Sequence, residues 1–115
     1  MDASRTCLFV AELIVSVLKK RHSDYLLFDS LEWEITEEAG SSATASIYIL
    51  QNSTEKKPLA FLLDVEITVN PTNGAVIRKK ITFLKDCNNF FPADFTKELT
   101  GVLRSFGWNI VTKYA

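Results

Sequence analysis

The spacing of apolar residues changes twice along this chain, and the order of those changes constrains the fold more than any other feature. A continuous apolar block of helical type comes first, at residues 7–18. Between residues 31 and 84, four stretches alternate apolar and polar residues, as strands with one buried face do. A second block with helical spacing covers residues 92–106. This order predicts an α+β fold, because helices at both ends can pack on one face of a sheet.

The four predicted strands are separated by polar turns. They cover residues 31–36, 44–51, 59–69 and 75–84. In the third strand, strict alternation assigns the odd-numbered residues from Leu59 to Val69 to the core face, Phe61 among them. A short β-prone segment at residues 108–114 is a candidate fifth strand at the edge.

In the turn at residues 70–74, Pro71 suits the second position of the turn, and Gly74 suits a position with left-handed conformation. A loop of five residues here pairs Glu66 with Arg78, Asp64 with Lys80, Ile67 with Ile77, Leu63 with Ile81 and Phe61 with Phe83. In this register Lys79 points inward opposite Val65, so we expect a bulge or a strand edge there.

Together these elements predict one domain spanning residues 1–115, near the commonest domain size. We expect a two-layer α+β sandwich with a mainly antiparallel meander of four or five strands. The N-terminal helix should begin at a Ser4 cap and run to about His22, and the C-terminal helix should begin near Pro92 and stop at Gly107. Gly101 falls inside that second helix, which suggests close approach of a neighbouring element.

The first helix is more apolar around its circumference than a surface helix needs to be. Its polar residues occupy only about a third of the circumference. They are Arg5, Glu12, Ser16, Lys19 and Lys20. Phe9 falls inside this polar arc, and Leu8 and Val15 flank it. Either a second element of the same chain covers the outer edge of the helix, or another chain does.

Composition excludes several functional classes. The formal net charge is −1, without the basic excess of a nucleic-acid binder. The apolar block is shorter than the roughly 20 residues of a membrane span, and Lys19-Lys20-Arg21 follows it in place of a signal-peptide cleavage site. We therefore expect an intracellular protein, cytoplasmic or nuclear, with reduced thiols; a Cys7–Cys87 bridge stays a minor alternative.

Candidate chemistry is sparse. His22 is the only histidine, and a position near a helix end favours a capping role over catalysis. Four carboxylates, Glu32, Glu34, Asp64 and Glu66, could share the outer face of the sheet, but a meander places strand 2 between the two pairs. We predict no enzyme, no cofactor and no metal site.

The predicted function is a non-enzymatic protein–protein interaction module, a subunit of a larger assembly or a homodimer, associating through the apolar first helix. The candidate contact residues are Leu8, Phe9, Val15, Phe90 and Phe91. The alternative is a domain that binds a small apolar ligand or lipid in a cavity between the sheet and the helices.

The order α-β-β-β-β-α is similar to that of RWD-type interaction domains, which serve as docking modules in kinetochore and ubiquitin-pathway assemblies. This likeness covers element order alone, and the turn rich in Tyr and Pro that many such domains carry has no counterpart here. Frataxin has a related order, but its first helix is acidic. The resemblance implies a docking role without identifying contact residues.

Overall fold

The computed structural model describes residues 2–21, 23–24, 26–51, 57–85, 87–90 and 95–112. Helix α1 (Ala3–Arg21) is followed by a 3-10 helix (Leu26–Ser30) and strands β1 (Leu31–Ala39), β2 (Ser42–Leu50), β3 (Pro58–Val69) and β4 (Val76–Phe83). The short helix α2 (Cys87–Phe90), helix α3 (Phe95–Ser105) and strand β5 (Asn109–Thr112) complete the fold. The predicted α+β architecture is confirmed. The predicted start of the second helix at Pro92 lies outside the described residues.

The sheet has the order β1-β2-β3-β4-β5. The first four strands form an antiparallel meander, and β5 pairs with β4 in parallel after the crossover through α3. The predicted edge strand at the C-terminus is therefore present. Gly107, with φ of 84°, ends α3, where Trp108 N–H donates to Leu103 O and Gly107 N–H donates to Arg104 O. This paired arrangement is a Schellman motif.

Helix α1 begins one residue before Ser4. The Asp2 carboxylate accepts a hydrogen bond from Arg5 N–H at 2.8 Å, which makes Asp2 the N-cap. The predicted Ser4 cap is wrong. Ser4 lies inside the first turn, where its hydroxyl donates to the Glu38 carboxylate at the end of β1.

The register between β3 and β4 differs by two residues from the predicted one. Glu66 lies opposite Lys80, and Leu63 lies opposite Phe83. One residue of the shift arises because Val69 pairs with Val76 instead of Ala75. The second arises because Ile77 is an extra residue in β4, between the paired residues Val76 and Arg78. From Arg78 onward, a shift of two keeps each side chain on its predicted face, so the apolar pattern alone cannot detect it. Ile77 is the exception: it is 63% exposed, so its predicted pairing with Ile67 on the core face is wrong.

A second bulge reverses the predicted faces of early β3. Leu63 lies opposite Ile47 and Phe61 lies opposite Tyr48, so Leu62 is an extra residue in β3. Leu62 is fully buried, and before it the alternation inverts: Ala60 is buried, while Leu59 and Phe61 are 46% and 39% exposed. The assignment of Leu59 and Phe61 to the core face is therefore wrong, as is the predicted Phe61–Phe83 pair.

The core lies between the sheet and the helices. Helix α1 packs across β1, β2 and β3. Its buried face carries three small residues, Ala3, Cys7 and Ala11, which allow close approach to Ala43 and Ala45 of β2. Cys7 is a free, fully buried thiol whose Sγ–H donates to Val65 O at 3.0 Å. Cys7 therefore forms no disulfide in this structure.

Replacing Gly101 by alanine should stabilise the protein by about 0.5–1 kcal/mol. The predicted close approach at Gly101 is wrong: apart from the backbone of α3, a Cβ built there meets no atom of the described residues within 4 Å, and the residue is exposed. Alanine therefore adds helix propensity without a clash. Urea denaturation of the two proteins measures the gain. Gly107→Ala is the control, and it should destabilise the protein because its φ is 84°. A loss of stability for Gly101→Ala would contradict the open environment.

Candidate functional site

An apolar groove runs between α1 and α3 on the helix-covered face of the sheet. Its volume is about 500 Å³. The two walls come from Val10, Leu13 and Val17 of α1 and from Leu99, Val102 and Leu103 of α3. We call it the α1–α3 groove. It exists because α1 lies over β1 to β3 while α3 lies beside β5, which leaves the face between them open.

The floor and one end of the groove come from the sheet and the turn after α3. Ile67 of β3 is fully buried, whereas Val76 at the start of β4 is 41% exposed. Phe106 and Trp108, on either side of Gly107, border the same end. Phe106 is 69% exposed, so a phenyl ring at the groove has little cover from the described residues.

Helix α1 presents apolar side chains beyond the groove itself. Phe9, Leu13 and Val17 recur every four residues and so follow one side of the helix. They are 54%, 49% and 40% exposed. We call these three residues the exposed α1 stripe. The stripe and the groove form one continuous surface, because Leu13 and Val17 belong to both.

Among the described residues that line the groove, one is charged: Lys79 of β4. Its Nζ donates a hydrogen bond to Phe106 O at 3.0 Å and lies 5.6 Å from the centroid of the Trp108 ring. Lys79 therefore supports the turn that ends α3, through a hydrogen bond and a cation–π contact. The predicted inward orientation of Lys79 is confirmed, although the residue opposite is Ile67 and the bulge lies nearer the hairpin.

An ion pair links the two helices at the other end. Arg21 of α1 and Glu98 of α3 approach to 3.0 Å. Both side chains are about half exposed, so the pair contributes at most about 1 kcal/mol. It marks the end of the groove opposite Lys79, since Glu98 lies in the first turn of α3.

The five predicted contact residues are not equivalent in the structure. Phe9 is exposed, as expected, and Leu8 is half-buried elsewhere on α1. Val15 is 2% exposed and packs in the core, so its assignment to the outer edge of the helix is wrong. Phe90 packs partly against the core, and Phe91 lies outside the described residues.

Sequence patterns do not identify several of the residues that line the groove. The sequence predictions do not include the exposure of Leu13 and Val17, although the four-residue spacing of both from Phe9 is a usable signal. Val76 and Phe106 offered no such signal. Phe106 has the spacing of the buried face of α3, but the helix ends one residue before it.

The outer face of the sheet carries polar groups and a small aromatic contact. Ser46 hydroxyl donates to the Asp64 carboxylate at 2.7 Å. The rings of Tyr48 and Phe61 lie 5.3 Å apart. Burial raises the pKa of Tyr48, and the charges of Glu34 and Glu32 add to this effect. Strand β2 separates the β1 carboxylates from those of β3, as predicted.

No three His, Cys, Asp or Glu side chains among the described residues are placed to hold a metal ion. Burial raises the pKa of the Cys7 thiol to about 11, which disfavours the nucleophilic thiolate. His22 lies outside the described residues.

None of the described helices has the length and apolar character needed to cross a lipid bilayer. Comparison with protein-family models, with curated proteins and with solved structures finds no match for this chain.

Proposed function

We propose that this protein is a non-enzymatic interaction module that binds a protein partner through the α1–α3 groove and the exposed α1 stripe. The continuity of an apolar groove with an exposed apolar helix face supports this proposal. Contiguous apolar surface of this kind marks interaction sites more often than scattered exposed residues do.

The dimensions of the groove suit a helical segment. Val10 and Val17 both line the groove and are seven residues apart in α1, which is about 10 Å along a helix. A partner helix with apolar residues at i, i+3 or i+4, and i+7 presents a stripe of the same length. Phe106, which lines the groove and is 69% exposed, is available to contact such a helix.

Replacing Leu13 by aspartate should abolish partner binding or weaken it at least tenfold, because a carboxylate would then be desolvated in the apolar interface. Leu59→Asp is the matched control: Leu59 is 46% exposed, against 49% for Leu13, but belongs to the outer face of the sheet. Light scattering measures self-association, and quantitative affinity purification followed by titration of the purified partner measures hetero-association.

The outcome is read from the difference between the two variants. Retention of the same partner and oligomeric state by Leu13→Asp, with thermal unfolding unchanged, would refute the groove as the interface. Equal loss in both variants would indicate a general effect of added charge.

A second candidate is a binding site for a small apolar ligand. The volume of about 500 Å³ lies within the range of ligand pockets, and the described lining is apolar except for Thr6, Lys79 and the indole N–H of Trp108. Native mass spectrometry of the purified protein separates the two functions, since a ligand carrier should retain a small molecule and an interaction module should not.

A further inference from the structure

Lys79 is the one charged side chain of an otherwise apolar groove, and it has no carboxylate partner among the described residues. The ion pair found in that part of the chain joins Arg21 and Glu98 at the opposite end of the groove. Within the described part of the chain, the positive charge at this end is therefore balanced only by the Phe106 carbonyl and the face of the Trp108 ring.

The ammonium group of Lys79 also retains unused hydrogen-bonding capacity. An ammonium has three N–H donors, and one of them is directed at Phe106 O. Thr6, which also lines the groove, already donates its hydroxyl to Asp2 O at 3.0 Å. Among the described lining residues, the charged donors left for an occupant therefore belong to Lys79, beside the neutral indole N–H of Trp108.

A partner that covered this end with apolar groups alone would remove an ammonium from water without a counter-charge, which is unfavourable. A carboxylate at the same place would accept a charge-assisted hydrogen bond and compensate for the lost hydration. Charge complementarity thus favours an acidic group beside the apolar anchors of the occupant.

We propose, on the basis of the function proposed above, that the groove binds an amphipathic helix of a protein partner, with an Asp or Glu at one end of its apolar face. The carboxylate of that residue accepts a hydrogen bond from the Lys79 ammonium. The acid lies at the end of the apolar stripe and not in its middle, because Lys79 contacts Phe106, just beyond the last residue of α3.

The test is a selection from a phage-displayed library of helical peptides, with one face randomised, against three forms of the full chain. Wild-type protein should enrich peptides with an apolar stripe and an Asp or Glu at one end. Lys79→Glu should enrich Lys or Arg at that same position. Peptides selected on wild type should bind Lys79→Met about tenfold more weakly.

The Lys79→Glu variant distinguishes a binding role of Lys79 from a purely structural one, because only a binding role predicts that the selected peptides change from acidic to basic. Loss of the hydrogen bond to Phe106 O would lower stability in Lys79→Glu and Lys79→Met alike, but it would not reverse the charge preference of the selected peptides. Thermal unfolding of each variant, followed by circular dichroism, establishes that the selection used folded protein.

Several results would overturn the proposal, and they distinguish it from the function on which it rests. Peptides that require Leu13 but show no preference for acids refute the role of Lys79 and leave the interaction function intact. If no peptide depends on Leu13, and the groove instead binds palmitate in native mass spectrometry or closes on a second copy of the chain in light scattering, the partner helix itself is refuted.

Discussion

Replacing Phe83 by alanine should lower the free energy of unfolding by about 3–5 kcal/mol, because the substitution removes a fully buried ring and leaves a cavity. Phe83 lies at the end of β4, opposite Leu63, and belongs to the single core between sheet and helices. Urea denaturation at neutral pH measures the change. The midpoint should fall without a change in slope if unfolding stays two-state.

Phe61→Ala provides the matched control for Phe83→Ala. Because Phe61 is 39% exposed on the outer face, its replacement should cost about 1 kcal/mol, mainly through loss of the contact with the Tyr48 ring. Similar costs for the two variants would contradict the bulge at Leu62, because Phe61 would then face the core.

The stability of the folded protein should fall in alkaline solution because of the buried Cys7 thiol. Burial raises the pKa of Cys7 from an ordinary value of 9.0 to about 11, and the charges of Asp64 and Glu66 act in the same direction, while a backbone hydrogen bond with Ala45 opposes them. The thiol thus ionises at lower pH in the unfolded chain than in the folded one. Its contribution to stability is fully present below pH 9 and is lost as pH rises toward 11.

Relative to Cys7→Ala, the wild-type protein should lose about 2 kcal/mol of stability between pH 8 and pH 11. The alanine variant is the appropriate reference, because it retains every other group that titrates in alkali, including Tyr48. Urea denaturation of both proteins at intervals of one pH unit gives the difference. A constant difference over this range would show that the folded and unfolded thiols ionise alike.

Much of the fold could be predicted from local patterns. The alternation of Leu31, Trp33 and Ile35 identifies β1, since such a period reflects one buried face. Gly107 ends α3 because its positive φ is accessible to glycine at little cost. Strand alternation and the glycine at a helix end each depend on a few consecutive residues. The local sequence is therefore sufficient to predict both features.

Local patterns predict the wrong face for side chains where a strand contains an extra residue. Leu62 is apolar and buried, like its neighbours on the core face, and its presence between paired positions reverses the faces of Leu59 and Phe61. Alternation around Leu59 to Leu63 is compatible with either arrangement. Packing of β3 against β2 decides between them, because only the inserted residue permits Ile47 to pair with Leu63 and Ile49 to pair with Ala60.

The candidate site was predicted in part. The excess apolar surface of α1 pointed correctly to Phe9, because helical periodicity assigns each residue a direction relative to its neighbours. The same periodicity misplaced Val15, because it does not indicate how far the sheet extends around the helix. Whether Phe9 contacts a partner stays a prediction.

The sequence alone determines the order of helices and strands, the turns between them and the apolar character of the first helix. These features depend on residues that are neighbours in sequence. The strand register, the reversed faces at Leu62 and the α1–α3 groove depend on distances between elements far apart in sequence. Residues as distant as Val10, Lys79 and Phe106 meet at one site only after the sheet has positioned both helices, so no local pattern contains that information.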